Sequence, residues 1–116
     1  MGLQLFEQFR AMVDQLPAKG VMAAVRLQEQ MLKDDVARKR TVSMNDVRSI
    51  TSFSQFLEKA LISGVKVPPV TVPLQHLSFY RATVKRLVDE GELPKDASAR
   101  FDKTFSAGAM KSLKVS

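Results

Sequence analysis

Between Gly64 and Pro73 the chain reads GVKVPPVTVP, and this stretch constrains the fold more than any other. Proline lacks a backbone N–H, holds its own φ fixed and pushes the preceding residue out of the helical region. No helix therefore runs through Pro68, Pro69 and Pro73. A β-hairpin pairing VKV with VTV is disfavoured, because a Pro-Pro pair lacks the positive φ that tight hairpin turns require and no further strand is evident in the sequence. A proline-rich ligand is disfavoured too, since Pro69-x-x-x-Pro73 misses the PxxP spacing. The expected structure is an extended Val/Pro crossover strap whose valines pack against helices. About nine extended residues reach ~30 Å at most, enough to carry the chain along a helical bundle.

The segments on either side read as helix. Leu5, Phe6, Phe9, Met12, Val13 and Leu16 recur at steps of three and four until Pro17 stops them. A second helix of about 20 residues is expected after PAKG, with Val21, Val25, Leu32 and Val36 on one side and Gln28 and Glu29 interrupting the seam. SMND offers a capping box, in which the Ser43 hydroxyl accepts from the third backbone N–H and Asp46 lies near the positive end of the dipole. Val47, Ile50, Phe53, Leu57 and Leu61 then form a third stripe, ended by Gly64. Pro73 suits the first turn of a fourth helix, on which Leu74, Leu77, Val84, Leu87 and Val88 repeat until Gly91. A short fifth helix after Pro94 spaces Ala97, Phe101 and Phe105 four apart. The expected fold is all-α: a compact bundle of four main helices plus a short C-terminal helix, forming one domain over residues 1–105 with a loose tail over 106–116. The shared Phe-x-Gln-Phe pattern of LFEQF and SFSQF ends within a few residues and sets no period.

Composition narrows the chemistry. The 116 residues include no cysteine, which removes disulfides, thiolate metal sites and cysteine nucleophiles. Five dispersed glycines cannot build G-x-G-x-x-G or a P-loop, whose glycines lie a few residues apart. The single histidine, His76, excludes H-E-x-x-H and any tetrahedral zinc set of His and Cys. It stands one turn before Tyr80, where a partly exposed ring stacked on its i+4 neighbour is expected. No G-x-S-x-G elbow presents a serine. Asp34 and Asp35 diverge by about 100° on a helix and cannot aim at one atom. A non-enzymatic protein with no metal, no cofactor and no evident small-molecule substrate is expected. The N-terminal stretch lacks the basic start and apolar block of a signal peptide, and no apolar run is long enough to span a bilayer, so a cytoplasmic protein without membrane contact is expected.

Charge then suggests partners. The net charge is +6, and residues 59–116 carry ten basic and five acidic side chains against eight and seven in residues 1–58. Residues 59–88 hold Lys59, Lys66, Arg81, Lys85 and Arg86 and no acid. Arg81 and Lys85 lie one turn apart, with Arg86 on the flank, a geometry that can follow a phosphate backbone. Ser78 and Thr83 add neutral phosphate donors. The alternative is a solvated face neutralised by Lys85 with Asp89 and Arg86 with Glu90. Arg38-Lys39-Arg40 suits the C-terminal end of the second helix dipole.

TVKRLVDEGELP, Thr83 to Pro94, resembles the recognition-helix portion of excisionase-type and winged helix-turn-helix regulators. The resemblance implies a helix in the major groove with Thr83, Lys85 and Arg86 at the DNA. It covers twelve residues. HLSFYRA before it reads as unbroken helix, no two-stranded wing follows Pro94, and the strap is far longer than the ~3 to 4 residue turn of a helix-turn-helix. Two functions are therefore expected in order: association with nucleic acid through Ser78, Arg81, Thr83, Lys85 and Arg86, or a protein-interaction or assembly module. In the second, spare hydrophobic residues such as Phe6, Phe79 and Phe105 are covered by another protein or a second copy.

Overall fold

The computed structural model describes residues 5–38, 43–60 and 66–108. Leu61, Gly64, Lys39, Arg40 and the tail from 109 onward lie outside them. The described chain is mostly helical: α1 (Leu5–Gln15), α2 (Ala18–Ala37), α3 (Met44–Gln55) continued by a π-helical stretch (Phe56–Ala60), β1 (Val70–Val72), α4 (Leu74–Asp89), α5 (Ala97–Thr104) and β2 (Phe105–Ala107). The all-α expectation is met, with one small sheet added. The residues divide into two units between Ser54 and Gln55.

In the first unit α1 packs on α2. Phe6, Phe9 and Val13 of α1, Val21, Val25 and Leu32 of α2, and Val47, Ile50 and Phe53 of α3 are buried. Such side chains contribute about 1.5–3 kcal/mol each when removed from water. Pro17 marks the α1/α2 boundary as expected, and α2 begins directly after it. Glu29 does not interrupt the α2 seam but occupies it: the residue is 7% exposed, and the Ser54 hydroxyl donates to its Oε1 at 2.9 Å. Val36, expected on that seam, is exposed instead. The Ser43 cap forms, with the Asp46 N–H donating to Ser43 Oγ at a long 3.4 Å. Asp46 itself is buried and serves a second helix end, since the Phe6 N–H donates to its Oδ2 at 3.1 Å. That N–H belongs to the first turn of α1, where a carboxylate also suits the positive end of the helix dipole.

In the second unit α4 packs on α5 and β2. The inward face of α4 carries His76, Leu77, Tyr80, Thr83, Val84 and Leu87. Leu77, Val84 and Leu87 are buried as expected, but Leu74 is exposed and His76 is buried at 6% exposure where partial exposure was expected. The imidazole meets the Tyr80 ring edge-on at 6.2 Å. Phe101 and Phe105 stack at 4.7 Å, and Phe56 stands edge-on to both, at 5.8 and 5.5 Å. The π-helical stretch carries Phe56 and Leu57, both buried.

The end of α4 is a Schellman motif. Gly91 has φ +81°, its N–H donates to the Val88 carbonyl at 3.0 Å, and the Glu92 N–H donates to the Leu87 carbonyl at 2.8 Å. The strap needs a correction. Val70–Val72 is a strand, and its partner is the segment after α5, in parallel register Val70 to Phe105, Thr71 to Ser106 and Val72 to Ala107. Phe105 therefore leaves the fifth helix, and Ser106 and Ala107, expected in a loose tail, are paired. A parallel pair requires a long crossover, which α4 and α5 supply. Val72 is buried, in keeping with a strap whose valines pack inward. The pair is extended by the Gly108 N–H, which donates to the Val72 carbonyl at 2.9 Å.

Candidate functional site

The residues singled out on α4 do not share one face. Successive residues on an α-helix turn by about 100°, so Ser78, Arg81, Lys85 and Asp89 fall within one sector, Arg86 lies about 100° from Lys85, and Thr83 points away from it. Exposure follows this geometry: Ser78, Arg81 and Lys85 are exposed, Arg86 is half-buried and Thr83 is only 5% exposed. The Thr83 hydroxyl donates to the Phe79 carbonyl at 2.9 Å. Its expected role as a phosphate donor is corrected, because the group faces the interior and is already satisfied by its own helix.

The two exposed cations each have a carboxylate beside them. Arg81 Nε donates to Asp102 Oδ1 of α5 at 3.2 Å, and Lys85 Nζ lies 3.7 Å from Asp89 Oδ2. All four side chains are more than half exposed, so each pair contributes ~0–1 kcal/mol to stability. Their larger effect is on the local field. The acid-free window of residues 59–88 is filled in space by Asp89 and Asp102, and the face carries both signs. α4 also runs unbroken from Leu74 to Asp89, so no helix-turn-helix turn precedes Thr83, and α5 stands where a wing would follow.

Two of the three hydrophobic residues expected to be spare belong to the chain's own interior: Phe6 and Phe105 are buried, and Phe79 is half-buried against Tyr80. Among the described residues the exposed large hydrophobics are Leu27, Met31, Val36, Met44 and Leu74. Val36 and Met44 meet in one place. The last turn of α2 and the first turns of α3 form an open groove of about 420 Å³, lined by Val36, Ala37, Met44 and Val47 and, further along α3, by Thr51 and Ser52. Lys33 from α2 and Arg48 from α3 belong to the same lining. Apolar residues continue one turn past the buried Leu32 of α2 and begin one turn before the buried Val47 of α3, so Val36 and Met44 extend both stripes as exposed surface. A signal for it exists in the sequence as an apolar residue at each end of the polar connection. Only the tertiary structure shows that these residues lie side by side and uncovered.

Among the described residues no group of three His, Asp or Glu side chains is placed to hold a metal ion, and no helix is long and apolar enough to cross a membrane. No protein family, curated protein or solved structure matches the chain.

Proposed function

We propose that this protein is a non-enzymatic protein-interaction module whose docking face is the groove between the end of α2 and the start of α3. The carrying observation is that Val36 and Met44 are 40% and 53% exposed side by side in a groove lined by apolar side chains. Apolar surface of this kind gains free energy when a partner removes it from water, at about 25 cal/mol per Å². Methionine suits such a face, because its unbranched thioether adapts to the shape of an incoming side chain.

Nucleic-acid association through Ser78, Arg81, Lys85 and Arg86 is the competing reading, supported by the net charge of +6. It requires phosphates to approach past Asp89 and Asp102, each already beside one of the cations.

The test replaces Met44 with a photo-crosslinking amino acid in the cells that make the protein, with the exposed Lys103 as control position. A defined adduct at position 44, absent at position 103 and unchanged by Arg81→Glu, Lys85→Glu and Arg86→Glu together, is the expected result. In parallel, anisotropy of labelled duplex and single-stranded DNA is followed at low and moderate salt. Saturable, steeply salt-dependent binding that the triple reversal removes, with no adduct at position 44, overturns the proposal in favour of nucleic acid.

A further inference from the structure

We infer that the occupant of the groove is an acidic amphipathic helix of another protein, an inference that rests on the interaction reading above. Shape comes first. The groove is open to solvent along two helices and does not enclose its contents, and its volume of about 420 Å³ is within the range of specific binding sites. A trough of this form accepts a row of apolar side chains from one face of an element laid across it. On a helix that row is i, i+3 or i+4, and i+7, the pattern of helix-in-groove recognition.

Charge decides the rest. Among the described residues no carboxylate lines the groove, whereas each of its two helices brings a cation to it, Lys33 on α2 and Arg48 on α3. Lys33 lies 3.7 Å from Glu29 Oε2, yet its side chain is 59% exposed, and an i,i+4 pair so solvated holds its lysine by ~1 kcal/mol or less. Glu29 keeps its hydrogen bond from Ser54 when Lys33 turns outward. Arg48 is exposed and offers a planar fork that binds a carboxylate through two parallel N–H donors. Apolar anchors entering the groove therefore bring their flanking side chains near the cation that each helix contributes. Glutamate or aspartate at those flanks is attracted and lysine or arginine repelled, so the two cations select the sign of the partner. A second copy of this chain, at net +6, brings the wrong overall sign.

The test uses the full chain as bait for a display library of 16-residue helical peptides with randomised exposed positions. Counter-selection is against the variant K33E/R48E and against Met44→Glu; all three residues are exposed, and unchanged circular dichroism melts confirm folding. Enriched peptides are expected to carry a net negative charge with large apolar residues at i, i+3 or i+4, and i+7. They should lose about tenfold or more in affinity for K33E/R48E, and should shift the amide resonances of Val36, Met44, Val47 and Arg48. Enrichment of basic or unpatterned peptides, no enrichment, or binding indifferent to both variants overturns the inference. So does binding of anionic phosphatidylglycerol vesicles, or concentration-dependent self-association, that Met44→Glu abolishes. A crosslinked partner at position 44 whose docking segment is neutral or basic overturns the acidic helix alone and leaves the interaction module standing. No adduct at position 44 overturns both.

Discussion

Single residues carry several of the joints in this protein, and each has a measurable cost. Asp46 illustrates the point, because one buried carboxylate accepts the Phe6 N–H and thereby ties the start of α3 to the first turn of α1. Asp46→Ala leaves that N–H without its acceptor and is expected to lower stability by about 1–3 kcal/mol in urea denaturation, with faster amide exchange at Phe6. Asp46→Asn keeps an acceptor oxygen and should lose less. Gly91 is a cleaner case: at φ +81°, with open space around its Cα, Gly91→Ala meets no neighbour and is strained only in its own backbone. A loss of roughly 1 kcal/mol is expected, read from the urea midpoint at unchanged slope. The glycine at the end of α4 was legible because the left-handed requirement is local. The burial of Thr83 and His76 was not. Both are polar side chains, and they lie inside because α5 and β2 pack on the helix that bears them.

At the scale of elements, helix ends were readable and strand partners were not. Pro17, Ser43, Pro73 and Gly91 act on backbone within a few residues, so α1, α2, α3 and α4 begin or stop where their chemistry requires. Val70–Val72 and Phe105–Ala107 are three residues each, too short for the alternation that marks a strand, and their pairing depends on the path of α4 and α5 between them. Their close approach yields a sharp prediction. A Cβ at position 108 would overlap Thr71 Cβ, a contact that cannot be relieved by rotating a side chain. Gly108→Ala is expected to part the end of the sheet and abolish exchange protection of the Gly108 amide, while amides in the middle of α4 stay protected. Val72→Ala, which empties a buried site in the same strand, should cost about 2 kcal/mol.

For the molecule as a whole, net charge was a poor guide to the field at a given face. The window without acids holds in sequence, but Asp89 and Asp102 enter it in space, so the +6 of the chain is not concentrated on the exposed face of α4. Asp89→Asn with Asp102→Asn leaves Arg81 and Lys85 uncompensated. Nonspecific duplex binding is expected to tighten, with a steeper fall in affinity as salt rises, when compared with the wild type by anisotropy. If the wild type already binds as tightly, the carboxylates do not screen this face. The amino-acid sequence by itself determined a helical protein, where most helices start and stop, and which catalytic and metal-binding arrangements its residue types cannot form. Those properties depend on backbone chemistry acting over a few residues and on the inventory of side chains. Only the tertiary structure decided that Glu29 enters the α2 seam, that the strap pairs with the segment after α5, and that Val36 and Met44 are exposed in one groove with Lys33 and Arg48. Each of these depends on which surfaces remote segments bring together, and local pattern carries no record of that.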